Sequence, residues 1–132
     1  MRKRTVNFIA LATIIGVIVI WFVLTFSPKK LVDENDYIVG LRVTYNGSEI
    51  QTDQDKIIKI LSKYHSIISF KDYFPYETRK INFEIDFIDN NKPVHILLGE
   101  FNVWSKSAGG HVYEIQDAQQ LKQELKDALN LK

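Results

Sequence analysis

Ile81 to Ile88 reads INFEIDFI, and the fold class turns on this stretch. Ile81, Phe83, Ile85 and Phe87 alternate with Asn82, Glu84, Asp86 and Ile88. A period of two is the repeat of a β-strand, whose successive side chains point to opposite faces. Asp89 to Pro93 (DNNKP) then supplies a turn. Val94 to Phe101 reads as a second strand and Asn102 to Lys106 as a third. Ser107 to Gly110 (SAGG) turns the chain into a final short strand, His111 to Ile115. The intervals are too short for parallel crossovers, so these strands form an antiparallel meander.

Upstream, Tyr37, Val39, Leu41, Val43 and Tyr45 alternate with Ile38, Gly40, Arg42 and Thr44. Asn46-Gly47 follows, a dipeptide that tolerates the positive φ angles of a type I′ turn and so signals a hairpin returning through Ser48 to Gln51. Asn46-Gly47-Ser48 is also a glycosylation sequon, but the turn explains it more simply. Thr52 and Asp55 resemble a capping box with Asp in place of Glu. Ile57, Ile60, Leu61, Tyr64 and Ile68 fall at helical spacing, giving an amphipathic helix over Asp53 to His65. At the other end, Asp117 is placed to cap a helix whose stripe is Ala118, Leu121, Leu125, Ala128 and Leu129.

The expected fold class is α+β: a two-layer domain whose antiparallel sheet (hairpin, helix, meander, helix) is covered on one face by two helices. The other face turns Arg42, Thr44, Asn82, Glu84 and Asp86 toward water. A domain of about 96 residues buries roughly 60–65% of its unfolded surface, enough to fold without a disulfide or metal.

Ahead of this domain, Val6 to Phe26 reads VNFIALATIIGVIVIWFVLTF, with no charged residue. A helix of that length spans about 31 Å at ~1.5 Å per residue, matching a hydrocarbon core of ~30 Å. Its Val, Ile, Leu and Phe side chains contribute on the order of −6 kcal/mol to insertion, and no charge opposes them. A cleaved secretory signal would have a shorter apolar run and a small-residue exit. Here Thr25-Phe26-Ser27 runs into Pro28, which disfavours cleavage, so an uncleaved anchor is expected. The glycine and glutamate of a pilin leader are absent from their places. Arg2, Lys3 and Arg4 outweigh Lys29 and Lys30 under the positive-inside rule, placing the N-terminus in the cytoplasm and the domain outside it. Ala12 and Gly16 form a small-xxx-small pair, which reads more simply as isolated small residues than as a helix-pairing seam. The expected organisation is a cytoplasmic flank (1–5), a transmembrane signal-anchor helix (6–26), a linker (27–36) and an extracytoplasmic domain (37–132).

The 132 residues are 45% hydrophobic and 25% charged. All 16 acidic residues follow the apolar run, together with fourteen of the 17 basic ones, so that part carries a net charge of −2. A slightly acidic domain lacks the concentrated basic surface that phosphate contacts need, which argues against nucleic-acid binding. The chain has no cysteine. Disulfides, thiolate metal sites, a cysteine nucleophile and lipid attachment to an N-terminal cysteine are thereby excluded.

The anchor, the YNG hairpin, the DQDKIIKIL helix, the INFEIDFID strand and a GGHVYEI strand running into a Leu-spaced helix resemble small membrane-anchored or lipoprotein domains of unknown function from Gram-positive bacteria. The resemblance covers Tyr37 to Leu131. It implies a Gram-positive cell surface and transfers no catalytic or binding residue.

Standard catalytic signatures are missing: no GxSxG, HExxH, Walker loop or dinucleotide fingerprint occurs. Gly109-Gly110 reads as a turn. His65, His95 and His111 sit at no recognised metal-ligand spacing, even with Glu100 or Asp86 beside them, so structural roles and no metal or cofactor are expected. Glu84 and Asp86 share one strand face about 7 Å apart, a separation at which carboxylates can divide acid and base roles. A solvated strand face is the plainer reading. Phe70, Tyr73, Phe74 and Tyr76 place four aromatics in seven residues, and Trp104 lies in the meander. Such rings form either a recognition patch or a core rim. The expectation is a single-pass, non-enzymatic, membrane-tethered domain whose Phe70, Tyr73, Phe74, Tyr76 and Trp104 bind a protein or peptide partner in an accessory, regulatory or immunity role. The alternatives are a small hydrolase or metal-dependent enzyme using Glu84, Asp86 and histidine, and a cell-wall ligand binder.

Overall fold

The computed structural model describes residues 2–69, 80–107 and 112–131. The protein is α+β, with an N-terminal apolar helix, an antiparallel sheet and two further helices. Helix α1 (Lys3–Phe26) has a mean hydropathy of 2.7 over its most apolar window, and none of its residues is buried against the rest of the chain. Its one mid-helix hydroxyl, on Thr13, donates to the carbonyl of Ile9 at 2.9 Å, so it brings no unpaired donor into an apolar surround. The helix is long and apolar enough to span a membrane.

Among the described residues the sheet has eight strands. In chain order they are β1 (Lys29–Lys30), β2 (Ile38–Tyr45), β3 (Ser48–Ile50), β4 (His65–Ile68), β5 (Ile81–Asp89), β6 (Lys92–Gly99), β7 (Asn102–Lys106) and β8 (Tyr113–Ile115). Their spatial order is β1-β4-β8-β7-β6-β5-β2-β3. The expected hairpin and meander are both present. Asn46 and Gly47 have φ of 49° and 86°, the two positive angles a type I′ turn requires.

Two strands were not expected from the sequence. β1 lies inside the segment read as a linker, and it pairs with β4 through Lys29 opposite Ser66 and Lys30 opposite His65. Leu31 and Val32 behind it are 1% and 2% exposed, so residues 29–32 are tied to the sheet and the core rather than forming a free tether. β4 occupies the end of the expected first helix. That helix, α2, spans only Gln54–Leu61. Ile68 fits a helical stripe by spacing, yet it belongs to a strand held between β1 and β8. Four residues are too few for periodicity to separate helix from strand.

The helix caps also differ from expectation. Asp53, not Thr52, is the N-cap of α2 and accepts from the Asp55 amide at 3.1 Å. Asp117 precedes α3 (Ala118–Ala128) in the left-handed region and makes no side-chain cap bond.

Ile57, Ile58 and Leu61 of α2 and Leu121 and Leu125 of α3 are buried in one cluster with Val43, Phe83, Ile85, Ile96 and Leu98 of the sheet. Two bulges modify the expected faces. The register of β2 against β5 shifts between Val39 and Arg42, where Gly40 takes φ +69°. Ile38 therefore joins Leu41 and Tyr45 against the core, while Tyr37 is exposed. The register of β5 against β6 shifts between Ile81 and Phe83, and Ile81 turns away from Phe83 to pack with Leu97, Phe101, Val103 and Val112. A bulge adds one residue to one strand and so reverses which face the following side chains occupy. Leu97 lies between Ile96 and Leu98 of the main cluster, so this second cluster is on the opposite sheet face. That face is half apolar, not uniformly polar as expected.

Candidate functional site

The polar half of that opposite face is built by strand register. Asn90 and Asn91 take φ of 48° and 67°, closing a two-residue turn that pairs Asp89 with Lys92. Counting back from the turn sets Asp86 opposite His95. The row extends on both sides, with Arg42 of β2 opposite Asp86 and Ser105 of β7 opposite His95. Glu84, two residues before Asp86 on β5, shares its face.

The side chains converge. Asp86 Oδ1 lies against His95 Nδ1, and Glu84 Oε1 is 3.9 Å from His95 Nε2. The imidazole thus has one carboxylate at each nitrogen. One donor atom from each of Glu84, Asp86 and His95 lies within 4.8 Å of the other two. All three side chains are half-exposed, at 39–45%. Arg42 reaches the other way, toward Glu49 at 3.7 Å. Among the described side chains, His95 is therefore the one charge partner shared by both carboxylates. An open depression of about 520 Å³ adjoins them, lined by Arg42, Asp86, Ile88, Pro93, His95 and Ser105 among others.

A second depression, about 560 Å³, lies where residues 29–36 cross the sheet, beside Lys29, Lys30, Asp36, Asp89 and Lys106. Asp89 is 1% exposed; Lys106 Nζ donates to its Oδ2 at 3.1 Å. Burial raises its carboxyl pKa, the neighbouring Asp36 carboxyl adds to the rise, and Lys106 opposes it. Oδ1 has no donor.

Of the aromatics expected to form a patch, Phe70, Tyr73, Phe74 and Tyr76 lie outside the described residues. Trp104 is 5% exposed, packs edge-on against Tyr113 with centroids 5.1 Å apart, and donates its indole N–H to the Leu31 carbonyl at 3.0 Å. Its ring belongs to the core, because an indole buried with its one donor satisfied is a stable core element. His65 is exposed at the start of β4, where its carbonyl accepts from the Gln116 amide at 2.9 Å. Glu100 is exposed in the β6–β7 turn, and neither it nor His65 joins the Glu84–Asp86–His95 group. His111 lies outside the described residues. Strand alternation pairs Glu84 with Asp86 but leaves His95 apart from them; the signal that joins the three is the Asn90-Asn91 turn, from which the register can be counted.

Compared with protein-family models, curated proteins and solved structures, the chain matches none.

Proposed function

We propose that this chain is a single-pass membrane protein whose α+β domain sits on the extracytoplasmic side and binds a protein or peptide partner without catalysing a reaction. The observation that carries the reading is the join between helix and domain. α1 ends at Phe26 and β1 begins at Lys29, so two residues separate an apolar helix from a strand of the sheet. Two extended residues reach only about 7 Å. A domain so held is kept close to the headgroups, an arrangement suited to meeting another membrane protein or a ligand arriving at the surface. Arg2, Lys3 and Arg4 support a cytoplasmic N-terminus.

In this reading the domain is two-layered, with α2 and α3 together on one sheet face and the Glu84–Asp86–His95 face open. The partner contacts are assigned to Phe70, Tyr73, Phe74 and Tyr76, on the density of aromatic side chains in that segment. Photocrosslinking in the native membrane tests this. Probes replace Tyr73 and Tyr76, with Glu84 as the comparison position. A discrete partner band from the aromatic positions alone supports the reading; its absence from every position contradicts a stable protein partner.

A second reading is a small hydrolase or metal-dependent enzyme. The convergence of Glu84, Asp86 and His95 beside a depression favours it, because catalytic groups must meet on one substrate. Glu84→Gln and Asp86→Asn would then abolish turnover while leaving crosslinking from Tyr73 intact.

A further inference from the structure

The register of β5 and β6 brings together three side chains whose chemistry is that of a metal site. Glu84, Asp86 and His95 offer two carboxylates and one imidazole, with donor atoms within 4.8 Å. We propose that this group binds a divalent transition-metal ion of the zinc class on the open face of the sheet.

Three features carry the inference. The first is charge. Two carboxylates share one imidazole, so the group carries −1 with a protonated ring and −2 with a neutral one. A divalent cation against neutral His95 brings the sum to zero. The second is geometry. Glu84 Oε1 and His95 Nε2 are 3.9 Å apart, a gap that one ion with bonds of ~2.0–2.2 Å spans. Asp86 lies against the other ring nitrogen, Nδ1. Metal-bound histidines commonly donate their second N–H to a carboxylate, which fixes the tautomer and raises the basicity of the ligating nitrogen. The structure thus supplies two direct ligands, Glu84 and His95, and a carboxylate positioned behind the ring.

The third is access. The side chains of Glu84 and His95 are 45% and 39% exposed, so the remaining coordination positions are open to solvent. Imidazole together with carboxylate suits zinc and its neighbours and not calcium or magnesium, which take oxygen ligands. No metal-ligand spacing marks this group in the sequence, because Glu84 and Asp86 meet His95 only across the Asn90-Asn91 turn.

The site does not depend on the partner reading or on catalysis, since ion binding is measured directly. The test is calorimetric titration of the full-length protein in detergent micelles with zinc chloride, in a non-chelating buffer at neutral pH. The expected result is one equivalent bound at micromolar affinity. His95→Gln and Glu84→Gln should each remove saturable binding below 100 μM zinc. Asp86→Asn, acting through the ring, should weaken it by about 10–100-fold. His65→Gln, which alters an exposed histidine elsewhere on the sheet, should change nothing. Calcium at the same concentration should not compete. No saturable binding by the wild-type protein overturns the proposal. So does wild-type affinity in His95→Gln, provided its circular dichroism spectrum shows it folded; if His95→Gln does not fold, wild-type affinity in Glu84→Gln overturns it equally.

Discussion

The indole N–H of Trp104 donates to the carbonyl of Leu31, 73 residues earlier in the chain, at 3.0 Å. This bond closes the segment that follows the apolar helix onto the centre of the sheet. The Leu31 amide completes the attachment by donating to the Tyr64 carbonyl at 3.2 Å. Trp104→Phe keeps an aromatic ring but leaves the Leu31 carbonyl unpaired in a buried place. The expected loss is about 1–3 kcal/mol of domain stability. Thermal unfolding followed by near-ultraviolet circular dichroism checks it, and a melting temperature equal to wild type would mean the bond is not made.

Gly99 is required for a different reason. A Cβ there would lie 2.2 Å from the Lys80 carbonyl oxygen and 2.8 Å from the Ile81 Cα, both backbone atoms. Neither can rotate away, unlike the end of a flexible side chain. Gly99→Ala should destabilise the domain by about 1–3 kcal/mol through overpacking. A denaturant titration reads this as a lower midpoint, whereas an unchanged midpoint would show that the β5–β6 bulge is looser than described.

Asp89 sets a pH dependence of defined sign. Its carboxyl pKa is raised by burial and by Asp36, against the opposing ion pair with Lys106; Lys92 lies opposite it across the turn. A carboxyl whose folded pKa exceeds its unfolded value favours the folded state at acid pH, and that contribution is lost as pH rises through the folded pKa. Asp89→Asn removes the titration while keeping an acceptor for Lys106 and adding a donor toward Asp36. The melting temperature of the variant should therefore gain on wild type as pH rises from about 4 to about 7. Parallel pH profiles for the two proteins would contradict this.

Glu124 acts in the opposite direction. Lys63, and then the Tyr64 hydroxyl, hydrogen-bond its carboxylate and hold its pKa below the usual range. The stabilisation is present above the ordinary glutamate pKa of ~4.3 and is lost as pH falls through the lower folded value. Glu124→Gln should cost about 1 kcal/mol at neutral pH, since Lys63 is solvent-exposed and its share is screened. The difference should vanish in strong acid, and a constant deficit at all pH values would assign the loss to packing instead.

The parts of the fold visible in the sequence are those encoded by local pattern. The alternation from Ile81 to Ile88, the Asn46-Gly47 turn and the apolar stripe of α3 each specify one element without long-range information. β1 has no such pattern, because its two residues are lysines and it exists through backbone pairing to Ser66 and His65. β4 reads as the end of a helix, since Ile68 satisfies both repeats. Bulges at Gly40 and after Ile81 move Ile38 and Ile81 to faces that simple alternation denies them. The site is half legible. Glu84 and Asp86 follow from the strand, while His95 follows only when the two-residue Asn90-Asn91 turn is used to count register. The burial of Trp104 is not readable at all, because its partner is a backbone carbonyl on the far side of the sequence.

The proposed function stands on a single-pass protein with its domain outside the cytoplasm, and the absence of native cysteine makes that topology directly measurable. Thr5→Cys and Gln51→Cys, on either side of the apolar run from Val6 to Phe26 and both exposed, are expressed singly and treated in intact spheroplasts with a membrane-impermeant maleimide. Gln51→Cys should label in intact spheroplasts and Thr5→Cys only after lysis. Labelling of Thr5→Cys alone in intact spheroplasts would invert the orientation, and release of both variants from the membrane by alkaline carbonate would remove the anchor altogether.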